Sequence, residues 1–445
     1  MIKYTRLFIT FLLAATVFEA SAQSTATTSS PYSKFGLGLL DDQTLPQNIG
    51  MGGISTATNS TGGFRNINQL NPASYSKIDF TTIDAGVYGN SITLSKDGFP
   101  DQRNSNFRLS HFEFATPVTK HSALSFGLLP YSELGYSYKQ SVKNATPVSA
   151  ADTNVTNYIY SGQGGLSKAY LGYGFGIGKH LSVGANLSYI FGNLEEDQST
   201  EIPDLYGTLN SRIQQSNHVG GWNYDYGVQY SFDFSNSRHL VLGYSASAGN
   251  KINVQNTFIV SQYTRDVNGN ENTAADSLVN TTNPKAKIQL PQINHFGIVF
   301  QKDNSYVIGA DYTTGKWSDL TIAGVNQNLQ DSKKFNVGGQ ITPNVNSLNN
   351  YLALMDYRLG FIYEETYINV NTTAGNVNIK RYAGTFGIGL PLPHDRASSA
   401  FYKVNFSAEI GKEGTLANGL VKQNYMNFHL SFTLNDKWFQ RYKYD

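Results

Sequence analysis

The feature that most constrains this chain is the stretch AYLGYGFGIGKHLSVGANLSYIF, residues 169–191. Apolar side chains occupy every second position from Leu171 to Ile177 and again from Leu181 to Phe191, with small or polar residues between them. Successive side chains of a strand point to opposite faces, so the pattern predicts a β-hairpin with one apolar face. Strands of soluble sandwiches usually end after about five or six residues, whereas runs of about ten suit a tilted membrane-spanning strand.

Similar runs recur along the chain and predict about fourteen strands, an even number typical of single-chain outer-membrane barrels. We expect the strands near residues 81–94, 106–117, 121–138, 166–177, 180–192, 219–234, 238–254, 290–301, 304–315, 333–343, 354–370, 374–388, 399–411 and 423–434. Short turns follow even-numbered strands and long connections follow odd-numbered ones, for example 193–218 and 255–289, while 342–353 breaks this rule. The predicted fold is an all-β transmembrane antiparallel barrel, with residues 81–434 as its wall.

The first residues predict a secretory signal peptide at 1–22, because Lys3 and Arg6 precede a short apolar run and a small-residue cleavage site. A secreted chain with this composition is either a soluble β protein or an outer-membrane barrel, and the long alternating runs favour the barrel. We therefore expect the protein in the outer membrane of a Gram-negative bacterium, with outer-membrane lipids as partners. Residues 435–445 are expected to form a periplasmic tail, in which Trp438 either anchors at the headgroup level or marks a docking site.

Composition and motifs argue against catalysis. The chain has no Cys, so it offers no thiol nucleophile or disulfide framework, and a net charge of +1 gives no footprint for nucleic acid. The glycines of GYGFGIG, residues 172–178, recur within a strand and open no helix, so they do not form a phosphate loop. The oxygen-rich loop 266–276 lacks the spacing of an EF-hand calcium loop. We predict no enzyme activity, no catalytic residues, no metal site and no cofactor.

Residues 23–80 lack both long alternating strands and a persistent helical face. A barrel of about fourteen strands encloses a lumen that its own side chains cannot fill, so a compact Gly-rich segment folded back inside is a natural hatch. Pro72 would fix the backbone and Asn71 would bond neighbouring amides where the chain turns into the wall. The alternative is a plain periplasmic tail with an ordinary turn.

The arrangement resembles a known family. The stretches GMGGISTAT (residues 50–58) and NPAS (residues 71–74), followed by about fourteen strands, resemble FadL-like long-chain fatty-acid transporters of the outer membrane. The stretches SPYSKFGLG (residues 30–38) and LPYSELGYSY (residues 129–138) are similar to FadL-like proteins of Bacteroidetes-type bacteria. The resemblance implies a hatch inside the barrel and passive passage of hydrophobic molecules. It also implies hatch-motif residues, which are Gly50, Gly52, Gly53, Asn71, Pro72 and Ala73.

The third predicted strand contains Pro130, which cannot donate to a ladder. It should mark a bulge or kink where hydrogen bonds of the wall are missing. The resemblance implies sideways release of ligand at such a kink, so Gly127, Pro130 and Gly135 are the candidate lateral opening. The alternative is that the strand ends at Pro130 and extracellular loop follows.

Three functions compete at this point. The first is passive transport of a hydrophobic, fatty-acid-like or detergent-like small molecule through a plugged barrel with lateral exit. The second is a barrel subunit or scaffold of an outer-membrane protein export or assembly complex, with other outer-membrane proteins as partners. The third, a water-filled porin, is weaker because the sequence shows no rings of charge lining a lumen. The ligand-binding residues stay unknown.

Overall fold

The computed structural model describes residues 28–61, 64–143, 155–203, 205–272, 276–372, 375–393 and 400–438. The predicted signal peptide lies outside the described residues. The wall is a closed antiparallel barrel of 14 strands, which confirms the predicted fold class. The strands are β1 (Thr81–Ser95), β2 (Gln102–Thr119), β3 (Ser122–Lys143), β4 (Val155–Ile177), β5 (Leu181–Glu201), β6 (Asn210–Phe234), β7 (Arg238–Ser247 and Lys251–Tyr263), β8 (Asp276–Gln289 and Ile293–Lys302), β9 (Tyr306–Gly315), β10 (Ser332–Ile341), β11 (Asp356–Thr372), β12 (Gly375–Pro391), β13 (Phe401–Gly414) and β14 (Lys422–Asp436).

Each strand pairs with its neighbour in sequence, and β14 pairs with β1 from Lys422↔Ser95 to Asp436↔Thr81 to close the barrel. Strands β7 and β8 are each interrupted once, and their segments pair with each other below and above the interruption. The remaining elements are short. They are the 3-10 helices Pro31–Lys34, Pro72–Lys77, Trp317–Asp319 and Ala417–Gly419, the α-helices Pro46–Ile49 and Tyr351–Leu354, and the strands Leu39–Leu40, Ser60–Thr61, Phe64–Arg65, Thr321–Ile322 and Val325–Asn326.

The barrel is apolar outside and polar inside. Leu171 and Trp222 point outward and are 51% and 53% exposed, whereas Asn186 and Asp225 point inward and are buried. A soluble protein would bury the first pair and hydrate the second, so the outer face is built to contact hydrocarbon. In the described part of the chain, no helix is long and apolar enough to cross a bilayer.

Several strands extend well beyond their predicted bounds. Strand β4 begins at Val155 rather than 166, and the predicted connection 255–289 holds the upper part of β7 and the first segment of β8. In these extensions the side chains do not alternate between apolar and polar, although the backbone ladder continues. The prediction was wrong there because hydrogen bonding above the membrane requires no apolar face.

Residues 28–61 and 64–80 line the inner side of the barrel. The Gly52 amide donates to Thr385 Oγ1 of β12 at 2.8 Å, and Asn186 Nδ2 of β5 donates to the Gln69 carbonyl at 2.9 Å. The Ser55 amide donates to Asp311 of β9 at 2.8 Å. These three strands stand on different sides of the wall, so the segment contacts the lumen all around. We call residues 28–80 the N-terminal segment; the division into a hatch at 23–80 stays a prediction.

The C-terminal strand runs to Asp436, one residue past the predicted start of the tail. Trp438 is 39% exposed, donates from Nε1 to Asp436 at 2.9 Å, and lies 6.1 Å from the Phe114 ring. Residues 439–445 of the predicted tail lie outside the described residues. Trp438 therefore packs beside the outward-facing ring of β2 at this end of the barrel, and the anchoring interpretation stays a prediction.

Candidate functional site

The Gly-rich part of the N-terminal segment packs backbone against backbone. Gly52 and Gly53 have φ values of 73° and 78°, a left-handed conformation that favours glycine. A Cβ on Gly360 of β11 would lie 2.1 Å from the Gly52 nitrogen, and one on Gly338 of β10 would lie 2.2 Å from the Met51 oxygen. Gly50 lies against Gly387 of β12 in the same way, since a Cβ on Gly50 would lie 3.1 Å from the Gly387 Cα. Glycines on both surfaces thus allow the backbone of the N-terminal segment to contact the backbone of the wall directly.

The Asn-Pro-Ala turn is held equally closely. Asn71 caps the 3-10 helix Pro72–Lys77, accepting from the Ala73 amide at 3.2 Å and donating from Nδ2 to the Thr56 carbonyl at 2.7 Å. A Cβ on Gly174 of β4 would lie 2.3 Å from the Pro72 oxygen. The alternating inward glycines of the wall thus make room for this turn. The structure brings all six predicted hatch-motif residues against the inner wall, while their function as a hatch stays a prediction.

Asp311 of β9 binds the N-terminal segment, and it was not among the site residues predicted from the sequence. Its Oδ2 accepts from the Ser55 amide, the Thr56 amide and the Thr56 hydroxyl, each at 2.8 Å, and the residue is 4% exposed. Three donors on one carboxylate oxygen fix the N-terminal segment to β9. The signal was present in the sequence, since Asp311 is a lone acidic residue at an inward position of a membrane strand.

A cavity of about 270 Å³ remains between the N-terminal segment and the wall, and both charged and apolar side chains line it. Asp42 pairs with Lys334 and with Arg381, the latter at 3.1 Å, and Arg381 Nε contacts Glu364 at 2.9 Å. Burial favours the neutral Asp42 carboxyl, but the two cations outweigh burial and lower its pKa below the usual range. Charged side chains at inward positions far apart in sequence thus meet inside the barrel, which the sequence did not predict.

A cluster of apolar side chains joins the N-terminal segment to the inner wall. Leu37 of the segment is fully buried in this cluster, which includes Leu166, Ile190 and Trp317. Trp317 stacks on Tyr367, with 4.5 Å between the ring centroids, and both rings also line the cavity. The cluster belongs to the core that holds the N-terminal segment.

The wall is incomplete between β2 and β3. Their ladder runs only from Thr119↔Ser122 to Phe112↔Leu128. Beyond it, β3 continues along β4 with a register shift between Pro130 and Ser132. We call the unpaired stretch, Gln102–His111 of β2 against 129–143 of β3, the seam. The alternative that β3 ends at Pro130 is wrong, because the strand continues to Lys143.

The N-terminal segment covers the β3 side of the seam. Leu39 and Leu40 pair with Glu133 and Ser132 as a short strand, and the Asp41 amide donates to the Tyr131 carbonyl at 3.0 Å. Gly135 is covered too, since its amide donates to Ser33 Oγ at 3.1 Å. Gly127, by contrast, lies inside the complete part of the ladder, opposite Glu113 and Tyr170.

Arg108 of β2 joins the two sides of the seam from within. Its guanidinium forms ion pairs with Asp41 of the N-terminal segment and with Glu133 of β3, and it lies 4.2 Å from the Tyr88 ring centroid. Burial raises the pKa of the Asp41 carboxyl, and the Arg108 charge offsets this only in part. The lateral opening at Gly127, Pro130 and Gly135 stays a prediction.

Comparison with known proteins places the chain in a family and its fold among solved barrels. The family model BamG matches residues 1–445. A search of curated proteins finds no match. The fold is similar to the P. putida toluene transporter TodX, with 14% identity, 90% of this chain and 100% of that chain covered, and a TM-score of 0.59.

Two further solved structures show the same likeness. A Pseudomonas aeruginosa FadL homologue has 14% identity, with 90% of this chain and 100% of that chain covered and a TM-score of 0.54. The Ralstonia pickettii toluene transporter TbuX has 13% identity, with 89% of this chain and 99% of that chain covered and a TM-score of 0.53. At these identities the likeness establishes the fold, so the predicted resemblance to FadL-like proteins is confirmed for the architecture.

Proposed function

Because the chain belongs to the BamG family and its lumen is filled, we propose that it acts as a barrel subunit and scaffold of an outer-membrane protein export or assembly complex. The observation that carries the proposal is the way the lumen is filled. Hydrogen bonds to Asp311, Thr385 and Asn186 fix the N-terminal segment to several strands at once. A wall braced from within is a rigid support for a neighbouring protein.

The remaining cavity is a poor route for a hydrocarbon. Beside apolar side chains such as Leu39 and Ile92, it is lined by ion pairs of Asp42, Arg381 and Arg108, whose exposed side-chain fractions are 35%, 18% and 13%. An apolar ligand against these charges would strip water from them without replacing the hydrogen bonds, which costs free energy. The charged part of the cavity therefore favours water and ions over a fatty-acid chain.

A second surface supports a scaffold. The loop 342–355 lies on the side of the short turns, which we assign to the periplasm. It exposes Leu348 and Leu352, at 85% and 63%, and Tyr351 donates from its hydroxyl to the Pro391 carbonyl at 2.9 Å. Large apolar side chains held in an ordered loop are typical of an interaction surface. Other outer-membrane or periplasmic proteins are the partners that we propose for it.

The proposal is tested by depleting the protein from its own outer membrane and measuring the other barrels there by quantitative mass spectrometry. If it is an assembly subunit, several unrelated barrels decrease together, and the chain co-purifies with a fixed set of proteins after gentle detergent extraction. Normal levels of all other barrels, with the protein purifying alone, would refute the proposal.

Transport of a hydrophobic, fatty-acid-like molecule with lateral exit is the second candidate. The seam at Pro130 favours it, as do fold neighbours that are named toluene transporters. It requires Leu39 and Leu40 to leave the edge of β3. Transport predicts that Pro130→Val, which restores a backbone donor, lowers uptake of a hydrophobic compound by a correctly inserted barrel. Unchanged uptake would count against the seam as the exit.

A further inference from the structure

The seam leaves one strand edge unsatisfied. Strand β2 continues upward from His111 to Gln102 and pairs there with β1, from Val87↔Leu109 to Leu94↔Gln102. Of the residues that the structure describes, none pairs with the other edge of this stretch. On the other side of the seam, Leu39 and Leu40 occupy the β3 edge at Glu133 and Ser132. At this level the unpaired edge is that of β2.

Two large apolar side chains stand beside this edge on the outer face. Phe107 and Leu109 are 67% and 59% exposed. Exposure of this size also occurs where the wall is complete, since Leu359 is 71% exposed although strands pair with it on both sides. The unpaired backbone, and not the exposed area, therefore distinguishes this part of the wall.

The lower part of this edge lies at the level of the membrane. Phe107 is opposite Gly89 of β1, which is opposite Phe428 of β14. Phe428 belongs to the outward apolar row that continues through Leu430 and Phe432. Water is scarce at this depth and lipid chains neither donate nor accept hydrogen bonds, so an unpaired backbone edge is costly there. A strand is the element that satisfies it.

We propose that the β2 edge from Phe107 to His111 binds an extended strand of a different outer-membrane protein by β-augmentation. The expected strand is apolar on the face beside Phe107 and Leu109. On its other face it is small or polar, because Arg108 and Glu133 lie on the inner side of the seam. This alternation is that of a wall strand of another membrane barrel. The inference rests on the proposed scaffold function and names the contact through which it operates.

The test uses the full-length protein in its native membrane, with a benzophenone amino acid placed at Phe107 or at Leu109. Phe335 of β10 is the matched control, because it also faces outward, is 45% exposed, and is paired with Tyr312 and Tyr363 on both sides. After irradiation, the cross-linked peptides are sequenced by mass spectrometry. The expected result is that positions 107 and 109 mark residues about two apart on one alternating segment of a membrane protein, while position 335 marks only lipid.

A second variant tests the edge without cross-linking. Lysine on an exposed edge opposes strand addition, so Phe107→Lys should lower co-purification of that protein by about tenfold or more, whereas Phe335→Lys leaves it unchanged. Both variants are first checked for insertion by heat-modifiable migration.

The outcomes separate the two proposals. Cross-links from positions 107 and 109 to lipid only, to a second copy of this chain, or to a loop or helix would overturn the edge proposal. A partner that co-purifies but is cross-linked from elsewhere overturns the edge proposal and leaves the scaffold function in place. Absence of any co-purifying protein in the wild type overturns the scaffold function itself.

Discussion

The two junctions that the barrel depends on are built differently. Strands β14 and β1 come from opposite ends of the wall, yet their ladder runs without a register shift from Lys422↔Ser95 to Asp436↔Thr81. Strands β2 and β3 are consecutive in sequence, yet they pair only below Phe112 and Leu128. Closeness in sequence therefore does not decide where the wall is complete. At the second junction the N-terminal segment pairs with β3 only, whereas at the first junction the two strands pair with each other along their whole length.

Deleting residues 23–80 should have the largest effect on this contrast. The deletion removes Leu39, Leu40 and Asp41 from the seam, while the β14–β1 ladder satisfies its own backbone. We expect an inserted barrel that conducts ions in a planar bilayer, measured beside the silent full-length protein. A deletion variant that inserts but stays silent would show that the wall itself, and not the N-terminal segment, closes the lumen.

The second prediction concerns the ion pairs across the seam. Arg108→Ala leaves the Asp41 and Glu133 carboxylates without their shared cation in a partly buried site. Loss of one partner from a buried ion pair costs about 3–5 kcal/mol, and we expect the lower part of that range because the site is not fully dry. The measurement is thermal unfolding in detergent together with bilayer conductance.

Arg212→Ala is the matched control for this prediction. Arg212 pairs in bidentate fashion with Glu271, at 2.8 and 2.7 Å, near the upper end of β6, where both side chains are more exposed. An exposed ion pair contributes about 0–1 kcal/mol, so this variant should unfold almost like the wild type. If both variants lose the same amount of stability to thermal unfolding, Arg108 contributes no more to the barrel than an exposed ion pair does.

The third prediction, with a smaller effect, concerns the contact between β11 and the N-terminal segment. Gly360→Ala places a methyl group 2.1 Å from the Gly52 nitrogen, so the segment must shift, at a cost of about 1–3 kcal/mol. Gly384→Ala is the control, since a Cβ there meets nothing within 4 Å. We expect lower thermal stability for the first variant only, measured by circular dichroism. Equal stability of the two variants would indicate that the segment does not press on the wall.

The membrane-spanning part of the wall could be predicted from the sequence, because hydrocarbon imposes alternation of apolar and polar side chains on every strand that crosses it. The upper part of β7 and the first segment of β8 were not predicted, because their apolar side chains do not alternate regularly with polar ones and only the ladder continues. The sequence also predicted the irregularity of the β3 ladder at Pro130, because a residue without an amide hydrogen cannot donate to a ladder. The contact of Asp311 with Thr56 and that of Arg108 with Asp41 could not be predicted, since the two residues of each pair lie far apart in sequence.

The closing ladder between β14 and β1 also sets the order of assembly. It joins Asp436 to Thr81 and is the wall pairing with the longest chain between its partners, so its loop-closure entropy makes it slow to form. The N-terminal segment precedes β1 and contacts β5, β9 and β12 inside the lumen. Its hydrogen bonds to strands on several sides of the wall form only as the sheet curls, so placement of the segment and closure of the barrel are linked.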